Sequence, residues 1–138
     1  MCIRDRNKIE EQKAEEEKSK YFFDTYAFIE IIRGSKNYLP YSNALIITAI
    51  FNLAELNYNL KKEMDKETAD EYTRDYFPFI AEVSLEDLEK AMDLKIKYKD
   101  LSIPDVVGYI IAKKHGVKFL TGDEGFRNFD NVEFVKKD

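Results

Sequence analysis

Two aspartates in this chain directly follow apolar runs: Asp24 after Tyr-Phe-Phe, and Asp123 two residues beyond Val-Lys-Phe-Leu-Thr. An acid abutting an apolar strand is costly unless it is exposed or coordinated at the sheet rim. Asp105 stands in Ser102-Ile-Pro-Asp105, and Glu55 lies between apolar residues of a helical stretch. Each has an ordinary reading. Asp24 caps a helix alongside Thr25, Asp123 is a turn residue in Thr-Gly-Asp-Glu-Gly, Asp105 completes a capping box, and Glu55 belongs to a solvated face with Asn52 and Asn59. Together they mean more, because four acids converging on one sheet edge repel one another strongly unless a divalent cation neutralises them.

Composition narrows what that cation is. The 138 residues include one His and one Cys, so His115 and Cys2 cannot build a Cys/His zinc site, a metalloprotease motif or an intrachain disulfide. A metal here must sit on oxygen ligands, which favours Mg²⁺ or Mn²⁺ over zinc. His115, just before Gly116, reads as a helix C-terminal residue rather than a general base. Lys plus Arg number 22 against 27 Asp plus Glu, a net charge of −5, which argues against a broad basic face for nucleic acid but leaves open contact with phosphate through a cation. The apolar stretch Ala44 to Phe51 is too short to span a bilayer, and the sequence predicts a soluble, cytoplasmic protein with no membrane association.

The elements that must position these acids alternate in a βα pattern, which predicts a largely parallel sheet. Residues 1–20 are charged throughout, lack periodicity and open on MCIRDR, which looks like an assembly scar. They read as a disordered or non-native leader before one domain over 21–138. Strands are expected at 21–23, 44–48, 79–83, 117–121 and 132–135. Helices are expected at 26–33, 49–62, 65–76, 84–98 and from Ser102 to Gly116. Apolar stripes at helical spacing are Ile50, Leu53, Leu56, Leu60, then Leu85, Leu88, Met92, Ile96, then Val106, Val107, Ile110, Ile111. The architecture is a three-layer α/β/α sandwich around a mainly parallel five-stranded sheet. In such a fold ligands bind outside the carboxyl ends of the strands, where Asp24 and Asp123 stand.

The segments FFDTYAFIEI, NLAEL, SIPDVVGYIIAKKHGVKFLTGDEGF and NVEFV resemble the PIN-domain ribonucleases, particularly the VapC-like toxins of toxin–antitoxin pairs, over Tyr21 to Val135. The most specific part is S-x-x-D, a helix, an apolar strand and T-G-D-x-x-F. The resemblance implies an acidic site at Asp24, Glu55, Asp105 and Asp123, with Thr121 and Ser102 as supporting hydroxyls and Phe126 packing the loop after the last acid. It further implies Mg²⁺ or Mn²⁺, in-line attack of metal-bound water on an RNA phosphodiester, and 5′-phosphate and 3′-hydroxyl products. A small antitoxin partner and a homodimer are implied as well. One position departs: many relatives carry a further acid where this chain has Gly125, and Glu124 or Asp130 are the candidates to compensate.

Other readings compete. A catalytically idle PIN-like binding module and a housekeeping RNA-processing nuclease share the fold. A haloacid-dehalogenase-like phosphatase requires a second Asp where Tyr26 stands, and a receiver domain requires a Lys that Lys136 matches poorly. Arg33, Lys36, Lys61 and Lys62 are candidate phosphate contacts, with solvated surface charge as the plainer reading. Tyr38, Leu39, Tyr41 and the segment Tyr72 to Phe79 read as a dimer or antitoxin surface, or equally as core.

Overall fold

The computed structural model describes residues 19–138. The leader expected over 1–20 therefore lies outside the described residues, except for Ser19 and Lys20. Lys20 already belongs to β1 (Lys20–Phe23), which is followed by α1 (Thr25–Arg33), a 3-10 turn (Lys36–Tyr41), β2 (Leu45–Ile47) and α2 (Ile50–Glu63). Next come α3 (Lys66–Tyr76), a 3-10 turn (Phe77–Phe79), α4 (Leu85–Lys97), α5 (Ile103–Lys114), β3 (Lys118–Thr121), a 3-10 turn (Glu124–Phe126) and β4 (Val132–Phe134).

The four strands are all parallel, in the order β2-β1-β3-β4. Period-two alternation divides the core between the two faces. Phe22 and Phe119 point to one side, where Val106, Val107, Ile111 and Ala112 of α5 and Ala91 of α4 meet them. Phe23 and Leu120 point to the other, against Ala27 and Phe28 of α1 and Leu53, Leu56 and Leu60 of α2. The result is the expected α/β/α sandwich. Gly108 on α5 permits the close approach, since a Cβ there would stand 2.7 Å from the Phe22 ring.

The sheet has four strands, not five. The expected strand at 79–83 contributes one bridge, Thr48 to Ile80, in which Thr48 N–H donates to Phe79 O at 3.0 Å and Ala81 N–H donates to Thr48 O at 2.8 Å. Pro78 has no N–H and sits in a 3-10 turn, so the ladder cannot extend backwards through it.

Two stripes also need correction. Leu85 and Ile96 are 73% and 75% exposed and Ile50 is 48% exposed, so these three residues at or near helix ends lie outside the core. The candidate surface residues divide: Tyr38 is buried, with its hydroxyl donating to Val135 O at 2.6 Å, while Leu39, Phe77 and Phe79 are exposed. Among the described residues no helix is long and apolar enough to cross a membrane.

Candidate active site

β1 lies between β2 on one side and β3 on the other, so the chain reverses its winding direction there, and in sheets of this kind ligands bind outside the carboxyl ends of the strands at that reversal. Asp24 ends β1 at this point. It is the N-cap of α1, its Oδ1 accepting from Ala27 N–H at 3.0 Å, while Thr25 is the first helical residue rather than the cap. Oδ2 accepts from Thr121 Oγ1 at 2.6 Å, across the gap to β3. Thr121 Oγ1 in turn accepts from Asp123 N–H at 3.1 Å, which ties the second acid to the first through one hydroxyl.

Asp123 Oδ1 accepts from Gly125 N–H at 2.9 Å and caps the 3-10 turn. Asp105 forms a reciprocal capping box with Ser102: Ser102 N–H donates to Asp105 Oδ2 at 2.9 Å, and Asp105 N–H donates to Ser102 Oγ at 3.2 Å. The capping reading of Asp105 is thus correct, and its other oxygen makes no hydrogen bond among the described residues. Glu55 lies mid-helix on α2, half-buried.

Burial pushes Asp24 up to about 8, against the opposing pull of its bonds from Thr121 and Ala27, and the charges of Asp105 and Asp123 push it further. Burial likewise raises Asp105 to about 6, with Asp123 and Glu55 adding repulsion. Asp105, Asp123 and Glu55 therefore each act on the potential of another acid, as carboxylates gathered at one sheet edge must. Among the described residues no three Asp, Glu, His or Cys side chains stand in metal-ligand geometry, so the acids are neighbours without forming a closed cage. The donor set nonetheless fits a hard divalent cation. All donors are carboxylate oxygens, and one oxygen each of Asp105 and Asp123 carries no hydrogen bond among the described residues.

The compensating acids are otherwise engaged. Glu124 holds Arg127 at 2.7 and 2.8 Å and Lys136 at 3.2 Å, and those bonds hold its carboxyl down at about 2. Asp130 accepts from the Tyr109 hydroxyl at 2.5 Å and pairs with Lys113 at 3.1 Å. Two of the candidate phosphate contacts are also paired, Arg33 with Glu63 at 2.6 Å and Lys61 with Asp70 at 3.0 Å. Phe126 is fully buried in the core, as expected.

Sequence reasoning missed Asn52. Expected on a solvated face, it is fully buried in the first turn of α2, and neither its Oδ1 nor its Nδ2 has a partner among the described residues. Its backbone carbonyl accepts from Thr25 Oγ1 at 3.4 Å, next to Asp24. Helical spacing places Asn52 and Glu55 on one face, and that face is buried at the helix start, beside Thr25, rather than solvated.

Fold and site define the class: a doubly wound α/β domain with carboxylates gathered at its topological switch point. The PIN domain family model matches residues 21–132, and the chain belongs to that family. No curated protein matches the chain. Among solved structures it is similar to VapC20 of Mycobacterium tuberculosis, a sarcin-ricin loop cleaving toxin, at 16% identity and TM-score 0.71, covering 83% of this chain and 98% of that one. A toxin–antitoxin complex from Klebsiella pneumoniae matches at 20% identity and TM-score 0.65, with coverage of 82% and 95%. VapBC2 from Rickettsia felis, bound to a promoter DNA fragment, matches at 18% and 0.64, with coverage of 86% and 99%.

Proposed function

We propose that this chain is a divalent-metal-dependent endoribonuclease, the toxin of a toxin–antitoxin pair, with Asp24, Glu55, Asp105 and Asp123 as its acidic site. The observation that carries the reading is the buried Asp24 carboxylate, hydrogen-bonded to Thr121 and repelled by Asp105 and Asp123, at the switch point of a PIN fold. The similar structures, a sarcin-ricin loop cleaving toxin and a toxin–antitoxin complex among them, support the choice of RNA and of a small antitoxin as partner.

Asp24, Asp105 and Asp123, with Glu55, would hold Mg²⁺ or Mn²⁺. When bound, the cation supplies neutralisation of the acids, acidification of water and polarisation of a phosphoryl oxygen. The chain's own groups do the positioning. Thr121 fixes the Asp24 carboxylate, Ser102 N–H fixes Asp105, and Gly125 N–H fixes Asp123, so three of the four acids are oriented before substrate arrives. Glu55 has no hydrogen bond among the described residues and is free to orient the attacking water. The exposed Leu39, Phe77 and Phe79 offer apolar contact area to an antitoxin or a second copy.

Single-stranded RNA incubated with the purified protein and Mg²⁺ or Mn²⁺ is expected to be cut, leaving 5′-phosphate and 3′-hydroxyl ends. EDTA or Asp24→Asn should abolish the cutting. Undiminished cleavage by Asp24→Asn would sink the assignment, and cation binding without cleavage of any RNA would favour an idle binding module.

A further inference from the structure

Phe134 is an aromatic residue that the fold leaves out of its core. Val132 of the same strand and Val135 just after it pack into the two opposite core clusters, yet Phe134 joins neither and stays half-buried on the edge strand β4. Arg127 lies over its ring, 4.5 Å from the centroid, and the Lys136 ammonium stands 6.0 Å away. Both cations are held by Glu124, whose carboxylate takes two bonds from Arg127 and one contact from Lys136. One carboxylate against two cations leaves a local positive charge on a chain whose net charge is −5.

The position of this assembly is as telling as its content. Phe134 is the register partner of Thr121, the residue that bonds Asp24, so the two backbones are about 5 Å apart and their side chains leave the same face of the sheet. Glu124 directly follows Asp123. A flat apolar ring beside two cations, one strand from the acids, is the arrangement that takes an unstacked base and its phosphate.

We propose that Phe134, Arg127 and Lys136 form a subsite for one nucleotide of single-stranded RNA, outside the acidic site. The base stacks on Phe134, and the phosphate draws Arg127 and Lys136 away from Glu124. Arg127 already presents its guanidinium fork to a carboxylate, and the same fork fits a phosphate. The subsite rests on the RNA reading above and is distinct from the acids themselves.

Binding in EDTA, where no cleavage intervenes, separates the two. The chain contains no Trp, so Phe134→Trp places one indole at the subsite. Its fluorescence should be quenched, saturably, by a single-stranded oligoribonucleotide and not by an oligomer of the same backbone lacking bases. Phe134→Ala should weaken the oligonucleotide Kd on the order of tenfold and Phe134→Tyr should preserve it. Glu124→Gln should tighten binding and steepen its salt dependence, because two cations are released to phosphate. A protein that binds RNA with a silent indole, or equally well as Phe134→Ala, overturns the subsite alone. A protein that binds no RNA overturns the RNA reading and the subsite with it, and quenching by a protein partner but not by RNA makes Phe134 a protein contact instead.

Discussion

Thr121 Oγ1 donates to Asp24 Oδ2 at 2.6 Å and accepts from Asp123 N–H at 3.1 Å, so a single hydroxyl at the end of β3 fixes two acids that are 99 positions apart in sequence. Removing that hydroxyl while keeping the shape leaves a buried carboxylate and an amide short of a partner. Thr121→Val is therefore expected to lower stability by about 1–3 kcal/mol and to weaken cation affinity or activity roughly 10–100-fold. Thr121→Ser should recover most of both, as read by thermal melting with and without Mn²⁺.

The raised acids set a pH dependence whose sign differs between the metal-free and metal-loaded protein. Asp24 at about 8 and Asp105 at about 6 bind protons more tightly folded than unfolded. In EDTA their contribution to stability is complete below pH ~4 and is lost as pH rises, through about 6 for Asp105 and about 8 for Asp24. Melting temperature in EDTA should thus fall between pH 5 and pH 8, and Asp24→Asn should flatten the upper part of that fall. Cation binding competes with the same protons, so stabilisation by Mn²⁺ and cleavage should both increase over that range.

Gly122 separates the hydroxyl from the acid that it positions, and there is no room for a side chain. A Cβ there would collide with the Tyr26 ring and the Val135 carbonyl oxygen, and the carbonyl belongs to backbone that cannot step aside. Gly122→Ala should displace the loop carrying Asp123, costing about 1–3 kcal/mol and most of the Mn²⁺-induced rise in melting temperature.

Asn52 buries an amide whose two polar atoms have no partner among the described residues. Each buried group left unpaired costs about 1–3 kcal/mol, and an apolar residue of similar shape removes that cost. Asn52→Leu is expected to raise the melting temperature. A fall would mean that the amide is satisfied in solution and that Asn52 helps order the site next to Asp24.

Much of this was legible in the sequence because it is local. The capping box of Ser102 with Asp105 follows from its spacing, and the strands flanking Asp24 and Asp123 follow from short apolar runs. The fifth strand was not legible. Phe79 to Val83 has strand-like composition, but whether it pairs beyond one bridge depends on Pro78 and on how far β2 extends. Leu85 and Ile96 satisfy helical spacing, yet lie at or near the ends of α4, beyond the reach of the sheet. Spacing reaches the Arg127 partner of Glu124, three residues on, but not its Lys136 contact, the Tyr109 bond to Asp130 or the burial of Asn52 beside Thr25, which join residues far apart in the chain.

Asp105 gives the most direct test, because its structural role and its proposed chemical role can be separated. Asn at this position still offers a side-chain oxygen to Ser102 N–H, so the capping box survives while the charge is removed. Cation binding by calorimetry and RNA cleavage should be measured together on the wild type and Asp105→Asn. The account predicts an intact fold, at least tenfold weaker Mn²⁺ binding and loss of cleavage. Wild-type cation affinity and wild-type cleavage in Asp105→Asn would contradict it, leaving Asp105 as a helix cap and nothing more.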